Sequence, residues 1–494
     1  MNPTAHATAA SIWRSLNLPA SALTQLHLPP SPDPDAAINS SFRLGAAAQA
    51  SIGASALAIA QFHFLRTGET QRVSVDARHA VISFHSETWY NVDGALPSGG
   101  VCDDIAGLYR TADGHIRIHT NFPHHRAGIL RLLSLPSTPA PNRADVSHAL
   151  STQSASAFEA AAASAGMCAF ALRTAAEWDA HPQAHALRGA APVEVRRIGD
   201  APKRIIPGGG AGIERALQGI RVLDLSRVLA GPVAGRTLAA HGADVLRIVS
   251  PSLPALPLLD TETSLGKRTA HLDLTSTSAC GTLAALTRDA DVFLQAYRPG
   301  ALAAKGFGVD EVARLRPGIV YAELCAWGWE GPWKDLRGFD SLVQTATGFN
   351  IDEGEAYRAF TGSETPASPR ALPMQALDHA AGYLLACGIA AALCNTITEG
   401  GTWHLRVSLA AAGAWLRSLG RADIGLGHAF PPRQAPPHPE IAALCGTWVM
   451  HDREGEGKLR GRAKDITAVR QAGVLSLTPA RAGEVLGMDE PKWL

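Results

Sequence analysis

Residues 220–249 read "IRVLDLSRVLAGPVAGRTLAAHGADVLRIV". A short β-rich run (220–226) leads into a tight Ala230–Gly231–Pro232 turn and a helical stretch that stops on glycine. A second β-rich run (243–249) follows. At such a strand–turn–helix junction, backbone N–H groups and the helix dipole favour a phosphate or a carboxylate. GxGxxG and GxxxxGK[ST] are both absent, so neither a dinucleotide site nor a P-loop follows. Taken alone, the turn does no more than link a strand to its helix.

The same alternation continues outward. "TSACGTLAALTRDA" reads as a helix, "DVFLQAY" as a strand and "GIVYAEL" as another strand. Strands separated by helices of this length predict an α/β domain, a parallel sheet covered on both faces, over residues 218–420. Residues 42–206 read as a smaller α+β unit. It has a small-residue helix, a strand-like "QRVSVDA", a hairpin around Asp113–Gly114 and a closing helical stretch. Residues 207–217 carry "GGGAG" and read as a Gly-rich hinge. Residues 1–41, ending in "LPPSPDPDAAINSS", read as an N-terminal extension and linker, and 421–494 as a C-terminal tail.

Composition narrows the function classes. The 494 residues are 46% hydrophobic, and 44 basic residues balance 44 acidic ones. That balance offers no electrostatic footprint for nucleic acid and no polybasic stripe for a membrane surface. Seven cysteines without a CxxC pair fit buried thiols in a reducing compartment. The N-terminus lacks the pattern of a signal peptide, and the most apolar run, from Ala376 to Ile397, is interrupted by Asp378, His379 and Asn395. The expectation is a cytoplasmic protein.

That apolar run opens with the chemically suggestive residue. In "RALPMQALDHAAGYLLACGIAAAL" (370–393) one carboxylate, Asp378, heads a series of small and apolar residues. Capping a helix N-terminus is the commonest use of such an aspartate, and from the residues alone it is the better account. The alternative is a covalent nucleophile, kept ionised by helix N–H groups and approached closely because Ala380, Ala381 and Gly382 are small. His124 and His125, adjacent and without ligand partners at metal spacing, read as surface or hairpin-end residues. "GKR" (266–268) and Arg298 place cations near expected strand ends.

The chain also echoes itself. "GETQRVSVDA" (68–77) and "GGTWHLRVSLA" (400–410) share Gly68/Gly400, Thr70/Thr402 and Val75/Val407, an offset of 400 − 68 = 332. At that offset Asp378 falls on Ala46. A duplication would leave the carboxylate only in the second copy, and two generic helix–turn–strand units would give the same likeness.

Read in order, "GIRVLDLSRVLAGPVAGRTLAAHGADVLRI", "GKRTAHLDL", "ADVFLQAYRPGALAAKGFGVDEVARLRPGIVYAEL", "GWEGPW", "GFDSLVQTATG" and "ALDHAAGYLLACGIAAAL" resemble the family III CoA-transferases. That superfamily includes formyl-CoA transferase, carnitine CoA-transferase and α-methylacyl-CoA racemase. The first unit resembles the family's central and small-domain region, placed here before the nucleotide-binding part. The resemblance implies a Rossmann-like CoA-binding sheet domain with a smaller α+β domain. It also implies acyl-CoA and a carboxylic acid as substrates, with coenzyme A the only cofactor, no metal, and an interlocked homodimer. Asp378 is the implied nucleophile, through an aspartyl-acyl anhydride and an aspartyl-CoA thioester. Val228, Leu229, Leu272, Tyr297, Arg298, Lys305 and Arg337 match CoA-contacting positions, and Asp340 and Gly382 are substrate-site candidates. Val249 and Ser250 depart from the family pattern. Phe339 stands where the racemase branch has a catalytic histidine, which argues against α-carbon epimerisation. A racemase or isomerase of this fold and a CoA-binding protein without turnover are the alternative readings.

Overall fold

The computed structural model describes residues 2–30, 33–100, 102–136, 138–206, 212–423, 425, 427–451, 453–454, 458–459, 463–480, 485–486 and 489–494. Residues 207–211 of the expected hinge lie outside them.

The chain begins with helices α1 (Ala5–Ser15), α2 (Leu44–Thr67) and α3 (Ala77–Ser83). The stretch expected as extension and linker thus carries a helix of its own. Its apolar residues recur at helical spacing, so Ala9, Ile12 and Trp13 are buried, Trp13 completely, and α1 packs on α2. Strands β1 (Gly107–Arg110), β2 (His115–Ile118) and β3 (Ala169–Ala171) form a small antiparallel sheet. β1 and β2 pair across the Asp113–Gly114 turn, Gly107 opposite Ile118, as the turn chemistry predicts. The Asp113 carboxylate accepts from Ser154 Oγ at 2.6 Å and the Ala155 N–H at 2.8 Å, fastening the hairpin to the next helix.

A seven-stranded sheet follows: β4 (Glu194–Gly199), β5 (Arg221–Leu225), β6 (Asp244–Val249), β7 (Arg268–His271), β8 (Val292–Gln295), β9 (Val320–Cys325) and β10 (Thr402–Ser408). Its order is β7-β6-β5-β8-β9-β10-β4. Every neighbouring pair is parallel except β10 with β4, which are antiparallel. The first unit therefore supplies one edge of this sheet. Four of the strands coincide with the β-rich runs of the sequence, whose residues are buried on both faces as a covered parallel sheet requires.

The helices that position the site are α4 (Ala230–Ala240), α5 (Pro257–Thr263), α6 (Asp340–Ala346), α7 (Ala376–Thr398) and α8 (Leu409–Ser418). α7 is buried from Ala376 to Cys394 and packs on α2, α4 and β10. Small residues make this possible: a Cβ on Gly382 would stand 2.6 Å from the Ala230 carbonyl oxygen of α4. In length and composition both α2 and α7 qualify to cross a membrane, which the sequence reading did not expect. Their apolar windows are 100% and 89% buried within the protein.

The internal echo holds at the level of elements. Adding 332 to the starts of α2 and α3 gives 376 and 409, the starts of α7 and α8. The caps agree as well. Asp76 accepts from the third N–H of α3, and Ser408, at 76 + 332, does the same for α8. Gly68 and Gly400 both take left-handed backbone, φ 76° and 73°, where the helices end. The two long helices, α2 and α7, pack against each other.

Residues beyond 420 return to the body. β11 (Cys445–His451) pairs with β12 (Lys464–Val469), which pairs in turn with Asn91–Val92 of the first unit. Trp493 Nε1 donates to the Leu286 carbonyl at 3.0 Å.

Candidate active site

The loop between β5 and α4 is held rigidly. Asp224, at the end of β5, is fully buried and pairs with the equally buried Lys267 at 2.7 Å. Lys267 Nζ also donates to the Pro232 carbonyl at 2.9 Å, so one ammonium joins β5 to the first turn of α4. Burial lowers the Lys267 pKa to about 8, although the Asp224 charge and hydrogen bond oppose the shift. Within this loop Val228 adopts φ 71°, a left-handed conformation that a β-branched residue takes only when its surroundings impose it.

Val228 and Leu229 line a cavity of about 80 Å³ together with Asp378, Asp340, Phe339, Arg117, His119 and Leu259. Asp378 is 8% exposed and occupies the third position of α7. It is not the helix cap. Asp340 Oδ2 accepts from the Leu377 N–H at 2.7 Å and the Asp378 N–H at 3.0 Å, satisfying the donors that a capping residue would satisfy. Among the described residues no donor reaches the Asp378 carboxylate, which faces the cavity instead. The expectation that helix N–H groups hold Asp378 ionised is corrected accordingly. Burial, then the charges of Asp340 and Glu87, push its pKa well above the ordinary carboxylate value.

Glu87 reaches this region from the first unit. Its carboxylate lies 2.9 Å from Nε2 of His379, the residue after Asp378. Burial alone would raise the Glu87 pKa, but His379 and His85 outweigh it and hold the carboxyl at about 2. His119, by contrast, is pushed down to about 3 by burial and by the neighbouring His125 and Arg117 charges. Its ring stacks on Phe339, centroids 3.8 Å apart and planes within 6°. A histidine that neutral at ordinary pH is a poor proton shuttle, so it does not restore the acid–base partner that Phe339 lacks. His125, expected at the surface, is buried 3.7 Å from Cys168 Sγ, because a helix starting at Pro123 turns it inward.

The remaining sequence candidates separate. Arg337 lies in the loop before α6 and donates to the Gly166 carbonyl. Leu272 and Tyr297 pack in the core beside the sheet, and Lys305 Nζ donates to the Leu274 carbonyl at 3.0 Å. Arg298 exerts its charge on His125 and Cys168. Gly382, expected to admit substrate, lies at the α7–α4 contact, where α4 fills the space beside it.

A second, larger cavity has a volume of about 510 Å³. It is lined by Arg227, Arg247, His271, Val249, Ser250 and the α5 residues Asp260 and Thr261, among others. The same two segments contribute to both: Arg227 lines one and Val228 the other, and α5 gives Asp260 to one and Leu259 to the other.

The model of CoA-transferase family III matches residues 21–203 and 217–443. The chain belongs to that family. An acetyl-coenzyme A transferase of Hypoxylon pulicicidum is 33% identical over 222 residues, covering 44% of this chain and 36% of that protein. A succinate–glutarate CoA-transferase of Agrobacterium fabrum is 31% identical over 245 residues, covering 44% and 58%. This family III chain thus spans less than two thirds of the length of either relative. A crystal structure of a Mycobacterium tuberculosis protein is 32% identical and covers 42% of this chain and 58% of its own, with a TM-score of 0.37.

Sequence reading missed Glu87, Arg117, His119 and Leu259. For two of them a signal existed. In "HIRIHT" Ile116 and Ile118 alternate with Arg117 and His119, so strand period turns the two basic residues to a common side.

Proposed function

We propose that this chain moves CoA between an acyl-CoA and a carboxylic acid, with Asp378 as covalent nucleophile. The observation that carries the reading is the division of labour at the start of α7. Asp340 takes the capping N–H groups, and the Asp378 carboxylate faces the cavity without a structural partner.

In this reading a carboxylate oxygen of Asp378 attacks the thioester carbonyl carbon. The C–S bond breaks, and the electron pair leaves on the CoA thiolate. An aspartyl-acyl anhydride remains. The thiolate then attacks the Asp378 carbonyl and releases the first acid, leaving an aspartyl-CoA thioester. The acceptor carboxylate attacks that thioester and repeats the exchange, and Asp378 is regenerated when thiolate takes the new acyl group. Each step exchanges one activated carboxyl for another. The raised pKa of Asp378 makes it a stronger nucleophile once its proton is lost.

The strand order β7-β6-β5-β8-β9-β10 is that of doubly wound nucleotide-binding sheets, with the reversal at β5 and β8. It supports a Rossmann-like reading, with the nucleotide end of CoA in the larger cavity and the thioester in the smaller. The packing of α2 on α7 supports a single chain that supplies both halves of a dimer-like core, with one nucleophile between them.

The test is chemical trapping. The purified protein is incubated with a panel of acyl-CoAs, quenched with hydroxylamine and mapped by peptide mass spectrometry. A hydroxamate on Asp378 that requires acyl-CoA is the expected result. An unmodified Asp378 across the panel, with CoA binding intact by calorimetry, would favour a binding protein without turnover.

A further inference from the structure

The cavity at Asp378 holds a cation that the aspartyl chemistry leaves unused. Ile116 and Ile118 are at most 1% exposed in the core of the small sheet, and Arg117 and His119 turn the other way to line the cavity. Other arginines nearby are engaged: Arg126 on Asp103, Arg227 on the Pro254 carbonyl, Arg337 on the Gly166 carbonyl. Among the described residues, no acceptor hydrogen-bonds or ion-pairs with the Arg117 guanidinium. The charges it feels are those of Cys102, Asp340 and Arg143.

A part-buried guanidinium with its fork of donors unfilled is matched by one ligand class above others, a carboxylate bound through two parallel N–H···O bonds. His119 stands beside it, 8% exposed, with a buried Nδ1 that has no partner. Burial keeps that ring neutral, so it adds hydrogen bonding without another charge. In the acyl-CoA complex the reacting carbonyl lies at Asp378, so a carboxylate held by Arg117 at the same time belongs to the far end of the acyl group. The size sets an upper limit. At about 10–15 Å³ per water-sized group, 80 Å³ admits about five to eight such groups, the scale of a short diacyl chain and not of a fatty one.

We infer that Arg117 determines acyl specificity by binding the distal carboxylate of a short dicarboxylic acid, with His119 beside it. The inference rests on the CoA-transfer reading and goes beyond it by naming the substrate class and the residue that selects it.

The experiment compares malonyl-, succinyl- and glutaryl-CoA with butyryl-CoA as donors, reading the hydroxylamine-trapped label on Asp378 in the full chain. At least one diacyl-CoA should label about tenfold or more faster than butyryl-CoA, the worth of one charge-assisted contact. Arg117→Gln should erase that preference by slowing the diacyl donor alone, and Arg117→Lys should keep part of it. In parallel, succinate, malonate or glutarate, but not butyrate, should protect Arg117 of the unmutated protein from phenylglyoxal. That readout needs neither a folded variant nor turnover. Equal labelling by all four donors, or equal slowing of all four in Arg117→Gln, overturns the inference, and so does protection no better than butyrate gives. Protection by a diacid with no acyl-CoA labelling Asp378 would instead overturn the transfer reading and leave the Arg117 site standing.

Discussion

The starts of α2 and α7 are two versions of one design. In each, a carboxylate from outside the helix accepts the N–H of the third helical residue: Asp35 from Ala46 at 2.9 Å, Asp340 from Asp378 at 3.0 Å. In each, burial raises the pKa of the capping acid. They differ in what surrounds the cap. Asp35 is neutralised by Arg43 at 2.6 Å, and Ala46 beside it is fully buried. Asp340 is paired with Gln344, a neutral amide, and Asp378 beside it faces a cavity. A capping carboxylate is present at both helix starts. A carboxylate that faces a cavity occurs at one of them, where the proposed chemistry uses it. The comparison also explains why an aspartate near a helix start was ambiguous in the sequence: Asp340 takes the capping role, which leaves Asp378 for the proposed one.

The comparison can be broken most directly at Asp378. Asp378→Ala should abolish acyl-CoA-dependent labelling and cut transfer at least about a thousandfold, as loss of a covalent nucleophile does, while circular dichroism stays unchanged. Residual transfer within tenfold of the unmutated protein would remove Asp378 from the mechanism. Ala46→Asp asks whether the first copy is a dormant site. A carboxylate placed at a position 0% exposed, beside Asp35, should destabilise the fold by on the order of 4 kcal/mol in urea denaturation and create no second labelled peptide.

Asp35→Ala should cost about 2 kcal/mol through the lost cap and the orphaned Arg43, with the labelling rate of folded protein unchanged. Asp340→Asn tests the other cap. An amide oxygen still accepts the helix N–H groups but removes a charge that raises the Asp378 pKa. The acid limb of the labelling rate should therefore move to lower pH, and an unmoved limb would mean that Asp340 does not set the ionisation of Asp378.

The smallest effect is on stability. The Asp378 pKa is higher in the folded chain than in the unfolded one, so the folded state holds that proton more tightly. The resulting stabilisation is present below the unfolded pKa and is lost as pH rises through the folded value. Asp378→Asn should consequently raise the thermal midpoint relative to the unmutated protein at alkaline pH and leave it nearly unchanged in mild acid. Scanning calorimetry at the two pH values decides it.

Legibility followed the range of the interactions. β5, β6, β8 and β9 were visible because a strand buried on both faces needs a local run of β-branched and aliphatic residues. The hairpin at Asp113–Gly114 was visible for the same reason, since turn chemistry is a matter of adjacent residues. β7, in "RTAH", carries no such run and is made a strand by its parallel pairing with β6. α1 was hidden by the proline-rich segment that follows it, although its apolar spacing is regular. The pairing of the C-terminal strands with Asn91–Val92 joins segments more than 370 residues apart, which no local pattern announces.

The sequence by itself determined the parallel α/β framework, the family, the position of Asp378 at the head of a small-residue helix and the 332-residue echo, because each is written in local periodicity or in the order of motifs. The tertiary structure alone decided that Asp340 caps α7 from 38 residues away, that Glu87 meets His379 across 292 residues, and that Arg117 and His119 enter the cavity from the first unit. Those assignments depend on which buried donor finds which acceptor. In a close-packed interior that choice is settled by the fold as a whole, where an unpaired charge is costly and a paired one has its place fixed by its partner.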